Sequence, residues 1–347
     1  MGVVNNGRMR SLYLPAELQT RGGRSRSNSD SELPYEFSTE LFWIVSRLNN
    51  CHYCLGHQES KLKSAGVSEE TLLALDTDWS SFPAMQRAAF EFTRQLTFAP
   101  HTIGNREIEQ LQLHFSDQQI LDIAFMVGRY NSTNRWTDSL GIPQEDHRDY
   151  ASTLDSRSLN LSSRVAVDGF AARPAFQTFA DWKIEFDKQS TRAPRLEFVT
   201  PQSDGDLAPH ERLLMSIPAA GSAYVEQFRN ARLVGELPDE LKNKIVYVAA
   251  REDHAWYMQH VARQRLLEDG MDEQAIFSLV NNPGEDSAEV AALRFVSKLT
   301  KQPQWMSDSD IQDLQKHFSP HQIAEIVYHT GKAAILNRVT EVAGLPW

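Results

Sequence analysis

Residues 114–143 read HFSDQQILDIAFMVGRYNSTNRWTDSLGIP, and residues 317–346 read HFSPHQIAEIVYHTGKAAILNRVTEVAGLP. Aligned at an offset of 203, twelve of these thirty positions are identical. They include the HFS triplets at His114 and His317, the pairs Asn134-Arg135 and Asn337-Arg338, and the Gly-x-Pro endings at Gly141 and Gly344. Identity of that density and order marks an internal duplication, which decides the fold before any local reading does. Upstream, Ala88, Phe92, Leu96 and Thr97 meet Ala291, Phe295, Leu299 and Thr300 at the same offset. Further up the offset becomes 204, where Leu33-Pro34, Arg47, Tyr53, Leu62 and Gly66 meet Leu237-Pro238, Arg251, Tyr257, Leu266 and Gly270. One residue has been gained or lost in between.

The chain of 347 residues is therefore expected to hold two domains of ordinary size with flanking segments. We place an N-terminal segment at 1–32, with GGRSRSNSDS (Gly22 to Ser31) as a mobile loop, and a first repeat at 33–143. A connecting arm follows at 144–206, whose Phe170, Phe176, Phe179 and Trp182 predict packing rather than free linkage. The second repeat takes 207–347, with a lead-in helix before Leu237. Leu41, Ile44, Val45 and Leu48 recur at helical spacing, as do Leu111, Phe115, Ile120, Ile123, Ala124 and Val127 around a turn at Ser116. Ser68-Glu69-Glu70 and Ser116-Asp117 read as helix starts, and Gly141-Ile142-Pro143 as a stop. The fold class is predicted to be all-α.

Composition narrows the function. A net charge of -11 repels phosphate backbones, so nucleic acid is not an expected partner. No apolar run reaches the ~18 residues of a membrane span, and the N-terminus lacks a secretory core, so a soluble, cytoplasmic protein is expected. The two cysteines lie three residues apart and cannot staple distant segments, so their interest is chemical.

Within ELFWIVSRLNNCHYCLGHQESKLKSAG (Glu40 to Gly66), Cys51 and Cys54 fall one helical turn apart after Asn49-Asn50, which are N-cap candidates. Thiols at i and i+3 can approach disulfide geometry, and a helix N-terminus favours a thiolate. The same spacing also serves zinc knuckles, but these need two further ligands. Only His52 and His57 are near, and His52 should point away from the thiol face. A close dithiol or a Cys51-Cys54 disulfide is expected, with no metal and no cofactor. Tyr53, recurring as Tyr257, reads as packing.

The run VSRLNNCHYC, followed twelve residues later by Gly66, resembles the carboxymuconolactone decarboxylase and alkyl hydroperoxidase D family. The resemblance spans both repeats, but the thiols occur only in the first. It implies helical bundles that associate as homo-oligomers, and an antioxidant peroxidase or disulfide oxidoreductase with a redox-active disulfide. Its partners would be a peroxide or disulfide substrate and a dithiol electron donor. By motif match Cys54 would attack peroxide and Cys51 would resolve, whereas the helix dipole alone makes Cys51 the more acidic thiol; the order stays open here. The family's histidine position falls on Gln58, with His57 one residue early, and its glutamate position falls on Thr39, with Glu40 one residue late. Candidate catalytic residues are thus Cys51, Cys54, His57 and Glu40, with Gln58 and Glu59 as possible relays.

In the second repeat the cysteine positions hold Ala255 and Met258, beside Glu252, Asp253, His254 and His260. Two alternatives accompany the redox reading. One is a cofactor-free decarboxylase or isomerase of small lactone acids using His254 or His260; the other is a non-enzymatic redox-sensing or assembly module. Asn134-Arg135 and Asn337-Arg338, present in both copies, are expected to cap or to join the halves rather than to catalyse.

Overall fold

The computed structural model describes residues 5–19, 33–77, 79–145, 171–197, 207–217, 220–281 and 287–347. The loop expected at Gly22 to Ser31 and most of the connecting arm lie outside the described residues. The described part is all-α, with no strand.

After α1 (Asn6–Tyr13), the first half contains α2 (Tyr35–Leu48), α3 (His52–Ser64), α4 (Glu69–Thr77), α5 (Ala84–Phe98), α6 (Asn105–Gln112) and α7 (Asp117–Ser139). Helix α8 (Phe179–Gln189) belongs to the connecting arm, and α9 (Pro209–Met215) and α10 (Gly221–Leu233) lead into the second half. There follow α11 (Asp239–Asp253), α12 (Trp256–Glu268), α13 (Glu273–Ser278), α14 (Ser287–Lys301), α15 (Asp308–Gln315) and α16 (Pro320–Ala343). Helices α11, α12 and α13 begin 204 residues after α2, α3 and α4, while α14, α15 and α16 begin 203 after α5, α6 and α7. The one-residue slip therefore falls in the connection before α5 and α14.

Local chemistry explains the boundaries. Ser116 and Ser319 each accept the N–H three residues on, from Gln119 and Gln322, and those glutamines bond back to the serine N–H groups. Ser68 accepts the N–H of Thr71 at the start of α4. Gly141 and Gly344, at φ +59° and +67°, stop α7 and α16 in a left-handed turn that a side chain would strain.

The two long helices form the seam between the halves. Every residue of α16 from Ile323 to Ala343 is buried, as expected for a helix enclosed on all sides. A Cβ on Gly128 of α7 would lie 2.9 Å from Ile335 Cα of α16, and one on Gly331 of α16 would lie 2.6 Å from Ser132 Oγ of α7. Gly128 and Gly331 are equivalent positions, as are Ser132 and Ile335, so the contact is reciprocal. Arginines repeat the reciprocity: Arg135 donates to the Thr300 carbonyl at 3.0 Å, and Arg338 donates to the Thr97 carbonyl at 2.8 Å. Exchange of i with j across an interface is the mark of two-fold association, here within one chain.

Both guanidinium groups are buried, and among the described residues a single carboxylate sits among them. Asp253 accepts from Asn337 at 3.0 Å and pairs with Arg338 at 3.3 Å and Arg173 at 3.8 Å. Its equivalent in the first half is Asn49, which donates to Asn131 and Asn134 instead. Burial opposes the charge on Asp253, but Arg338, Arg173 and Arg135 together hold it below the usual carboxylate range. The described part of the arm touches both halves, with Arg173 donating to the Phe98 carbonyl of the first at 3.0 Å. Trp182 of α8 donates to Gln259 at 3.0 Å, and Arg192 forks onto Glu341 at 2.7 and 2.9 Å.

Candidate functional site

The turn between α2 and α3 brings the thiols to a helix start, though not as the capping residues suggest. Asn49 continues the α2 conformation, and Asn50 takes φ +54°, a left-handed stop that asparagine tolerates better than most residues. The Cys51 N–H then reaches back to the Ser46 carbonyl. Cys51 itself caps α3, its Sγ 3.4 Å from the Cys54 N–H. The expected capping by Asn49-Asn50 is therefore corrected: the Asn49 amide is drawn into the buried amide cluster on α7, and the sulfur takes the cap.

Cys51 and Cys54 are free thiols, 0% and 2% exposed. Each sulfur lies 3.1 Å from one oxygen, Thr137 Oγ1 on α7. That hydroxyl also donates to the Thr133 carbonyl at 3.0 Å. With its proton on Thr133, its lone pairs accept from two S–H groups; rotated, it donates to whichever sulfur is ionised. The two sulfurs are thus held to one point, no further apart than twice that distance.

Burial, the Cys54 neighbour and the nearby Asp138 carboxylate push the Cys51 thiol well up, and the Thr137 hydrogen bond only partly offsets them. This corrects the expectation from the helix dipole alone, because burial and the neighbouring Cys54 and Asp138 outweigh the dipole's pull. Asp138, next to Thr137, is itself pushed up to about 7 by burial. Its counterpart Glu341 takes Arg192 of the arm, whereas the Asp138 carboxylate forms no hydrogen bond with any described residue.

A second polar group adjoins the thiols. His57 Nε2 is 2.8 Å from Glu145 Oε2, and the Tyr53 hydroxyl donates to Glu145 Oε1 at 2.9 Å. The rings of Tyr53 and His57 are 4.4 Å apart. Burial disfavours a charged Glu145, but hydrogen bonds from Tyr53, its own backbone N–H and His57 keep it below the usual range. Gln144 donates to the His52 carbonyl at 2.6 Å, so residues 144 and 145 strap the start of α3. Tyr53 is thus a hydrogen-bonding residue as well as a packing one. In the second half Tyr257 holds the same place and meets His210 Nδ1 of α9 at 3.2 Å.

The other sequence candidates lie elsewhere along these helices. Glu40 accepts from Gln86 of α5 at 2.9 Å, and burial raises it to about 7. Glu59 accepts from Trp43 at 3.2 Å. Gln58 donates back to the Cys54 carbonyl at 3.2 Å and accepts from Lys61 at 3.2 Å. His52 is exposed. Among the described residues no group of three or more His, Cys, Asp or Glu side chains is placed to hold a metal ion. His254 sits among His101, Phe176 and Trp256, and His260 stacks on Phe186 and Trp347, so each has its own aromatic surroundings. No helix among the described residues is long and apolar enough to cross a membrane.

Sequence reasoning missed Thr137, Asp138 and Glu145. Thr137 recurs as Thr340, so repetition argued for a structural residue, and Glu145 lies just past the Gly-x-Pro end, in the stretch read as connector. The only signal for Thr137 was its place three residues beyond Asn134, on the α7 face that carries the buried asparagines.

No family model matches the chain. Two curated relatives are each 23% identical to part of it. The uncharacterized protein YdfG of Bacillus subtilis (strain 168) aligns over 101 residues, 28% of this chain and 68% of its own length. The uncharacterized protein YnjA of Escherichia coli (strain K12) aligns over 104 residues, 29% of this chain and 57% of its own length. In each case the match covers well under half of this chain, and neither name states an activity.

Proposed function

We propose that the first half is a dithiol redox centre of the alkyl hydroperoxidase D kind, which reduces a peroxide or a disulfide through Cys51 and Cys54. The observation that carries this reading is the shared hydroxyl: both sulfurs lie 3.1 Å from Thr137 Oγ1. A buried inert thiol needs no such partner, whereas a pair that alternates between thiol, thiolate and disulfide needs a group able to accept and donate in turn.

In this reading Cys54 attacks first, as the motif match implies, and Cys51, whose thiol is pushed up by burial and by its Cys54 neighbour, resolves. The Cys54 thiolate takes the distal peroxide oxygen, the O–O bond breaks, and the alkoxide leaves with a proton as an alcohol. Cys54 is then a sulfenic acid; Cys51 gives up its proton, its sulfur attacks the Cys54 sulfur, and the S–OH bond breaks with the hydroxyl leaving as water as the disulfide forms. An external dithiol returns two electrons and two protons. His57, its Nε2 fixed by Glu145, stands one turn beyond Cys54 and supplies the acid for the leaving oxygen. A cytoplasmic setting would keep the resting pair as thiols.

The test is titration of the reduced protein with an organic hydroperoxide. The expected result is loss of two thiols per chain, with a Cys51–Cys54 linkage and two hydrogens lost by mass spectrometry. Thiols that survive excess peroxide, or stoichiometric zinc in the purified protein, would overturn the reading.

A further inference from the structure

The second half has lost its thiols but encloses a different set of reactive groups, between α10, α12 and α16. Lys332 on α16 is 6% exposed, and His329, one turn earlier, is 1% exposed. Neither ring nitrogen of His329 has a hydrogen-bond partner among the described residues. Lys332 forms no hydrogen bond or ion pair with any described residue; its ammonium stands 5.8 Å from the Phe228 ring of α10. Arg232, one turn past Phe228, is exposed, and Arg265 of α12 is half-buried. These two guanidinium groups likewise make no ion pair among the described residues.

Such a grouping is costly as it stands. Burial and the charges of Arg265, Arg232 and Lys242 press Lys332 down to about 7, and burial with the Arg232 charge lowers Arg265 to about 10. The charges of Glu211 and Glu268 offset this only in part, and only at Arg265. Lys242 is spent on the Arg232 and Val234 carbonyls at the end of α10, and Glu211 is forked by Arg229. Glu268 makes no ion pair with Arg265 among the described residues, and His210 bonds to Tyr257. In a chain of net charge -11, cations are rarely left to repel one another in the interior.

The counterparts in the first half are differently employed. Lys61, at the place of Arg265, donates to Gln58. Arg129, at the place of Lys332, lies against the Phe125 and Tyr224 rings, and Met126 replaces His329. The cluster is therefore particular to the second half. It is also graded from an exposed rim at Arg232, through Arg265, to a buried Lys332 and an imidazole able to donate or accept.

We infer that the second half binds a small molecule through an oxyanion, carboxylate or phosphate, held by Lys332, Arg265 and Arg232 with His329 hydrogen-bonded beside it. Two guanidinium groups supply paired donors for such an anion, the ammonium supplies a point charge, and burial strengthens each contact.

Calorimetric titration of the full chain at pH 6.5 with sodium phosphate, and separately with sodium acetate, tests this, with chloride holding the ionic strength constant. Saturable binding of either anion is expected, phosphate alone pointing to a phosphate-bearing ligand and acetate alone to a carboxylate. Lys332→Met should weaken binding at least about tenfold, as for loss of a charged hydrogen bond, and Lys332→Arg should retain it. Arg265→Gln, at a less buried position, should also weaken binding and covers the case in which Lys332→Met does not fold. Cys54→Ser should leave binding unchanged. The inference is overturned if neither anion saturates, or if both bind Lys332→Met and Arg265→Gln as they bind the wild type.

Discussion

Replacing Asp253 by asparagine would test the seam between the halves most directly. The side chain keeps its size, and the equivalent position in the first half, Asn49, shows that this turn accommodates an amide. What is lost is the one carboxylate that the described residues place among Arg338, Arg173 and Arg135. At an effective dielectric of about 20, a pair at the 3.3 Å separation from Arg338 is worth about 5 kcal/mol before desolvation. Breaking a buried pair by removing one partner costs about 3–5 kcal/mol, because the remaining charge stays buried without its counterion. Taking about 2.1 cal/mol/K of unfolding entropy per residue over this chain, the melting temperature should fall by about 4–7 °C. Differential scanning calorimetry of both proteins from pH 3 to pH 8 is the assay. The folded-state pKa of Asp253 is depressed, so its contribution is complete above the unfolded value of about 3.9 and is lost as pH falls through the folded value. The gap between wild type and variant should be flat from about pH 5 to pH 8 and close only in stronger acid. A variant melting within about 1 °C of wild type at pH 7, a shift worth only about 0.7 kcal/mol on the same entropy, refutes the claim that this carboxylate holds the seam.

Four further outcomes follow from the site and the seam. Thr137→Val should slow peroxide-driven thiol loss by about 10- to 100-fold, as expected for removing one hydrogen bond to an ionised sulfur, while the helical circular dichroism is unchanged. His57→Ala should slow it by on the order of 10²-fold if the imidazole supplies the acid, and a near-normal rate would remove His57 from the mechanism. Glu40, raised to about 7 in the fold, destabilises the protein as pH rises from its unfolded value through 7; Glu40→Gln should therefore raise the melting temperature at pH 8 but not at pH 4, read by the same calorimetry. Gly128→Ala places a methyl 2.9 Å from the Ile335 Cα, and chemical denaturation should show a loss of about 1–3 kcal/mol.

The helices were legible because the same message is written twice. Apolar spacing at Leu41, Ile44, Val45 and Leu48 is ambiguous alone, but its recurrence with Ser116 and Ser319 as caps and Gly141 and Gly344 as stops is not. The thiol pair was equally plain, since three residues and one turn bring Cys51 and Cys54 together without any knowledge of tertiary structure. What surrounds them was not legible, because it arrives from far along the chain. Thr137 reaches both sulfurs from α7, and Glu145 reaches His57 and Tyr53 from beyond it. The Asn49-Asn50 reading erred because capping propensity is local, while the Asn49 amide is claimed by Asn131 and Asn134 across the bundle. Acidity failed for a related reason: position on a helix gives the sign of the dipole, but burial, which depends on the whole fold, gives the larger effect at Cys51.

The reciprocal seam of α7 and α16 has a consequence for how such a chain can vary. In an association of two identical subunits every substitution is made twice, once on each side of the axis, so an acid introduced beside one arginine also appears beside the other. Joining the halves in one polypeptide removes that obligation. Position 253 can be aspartate while position 49 remains asparagine, and one carboxylate can serve a pair of arginines that symmetry would have supplied with two or none. The same freedom lets the first half keep Cys51 and Cys54 where the second holds Ala255 and Met258, and lets the second bury Lys332 and His329 where the first holds Arg129 and Met126, so a single scaffold can carry two unlike interiors.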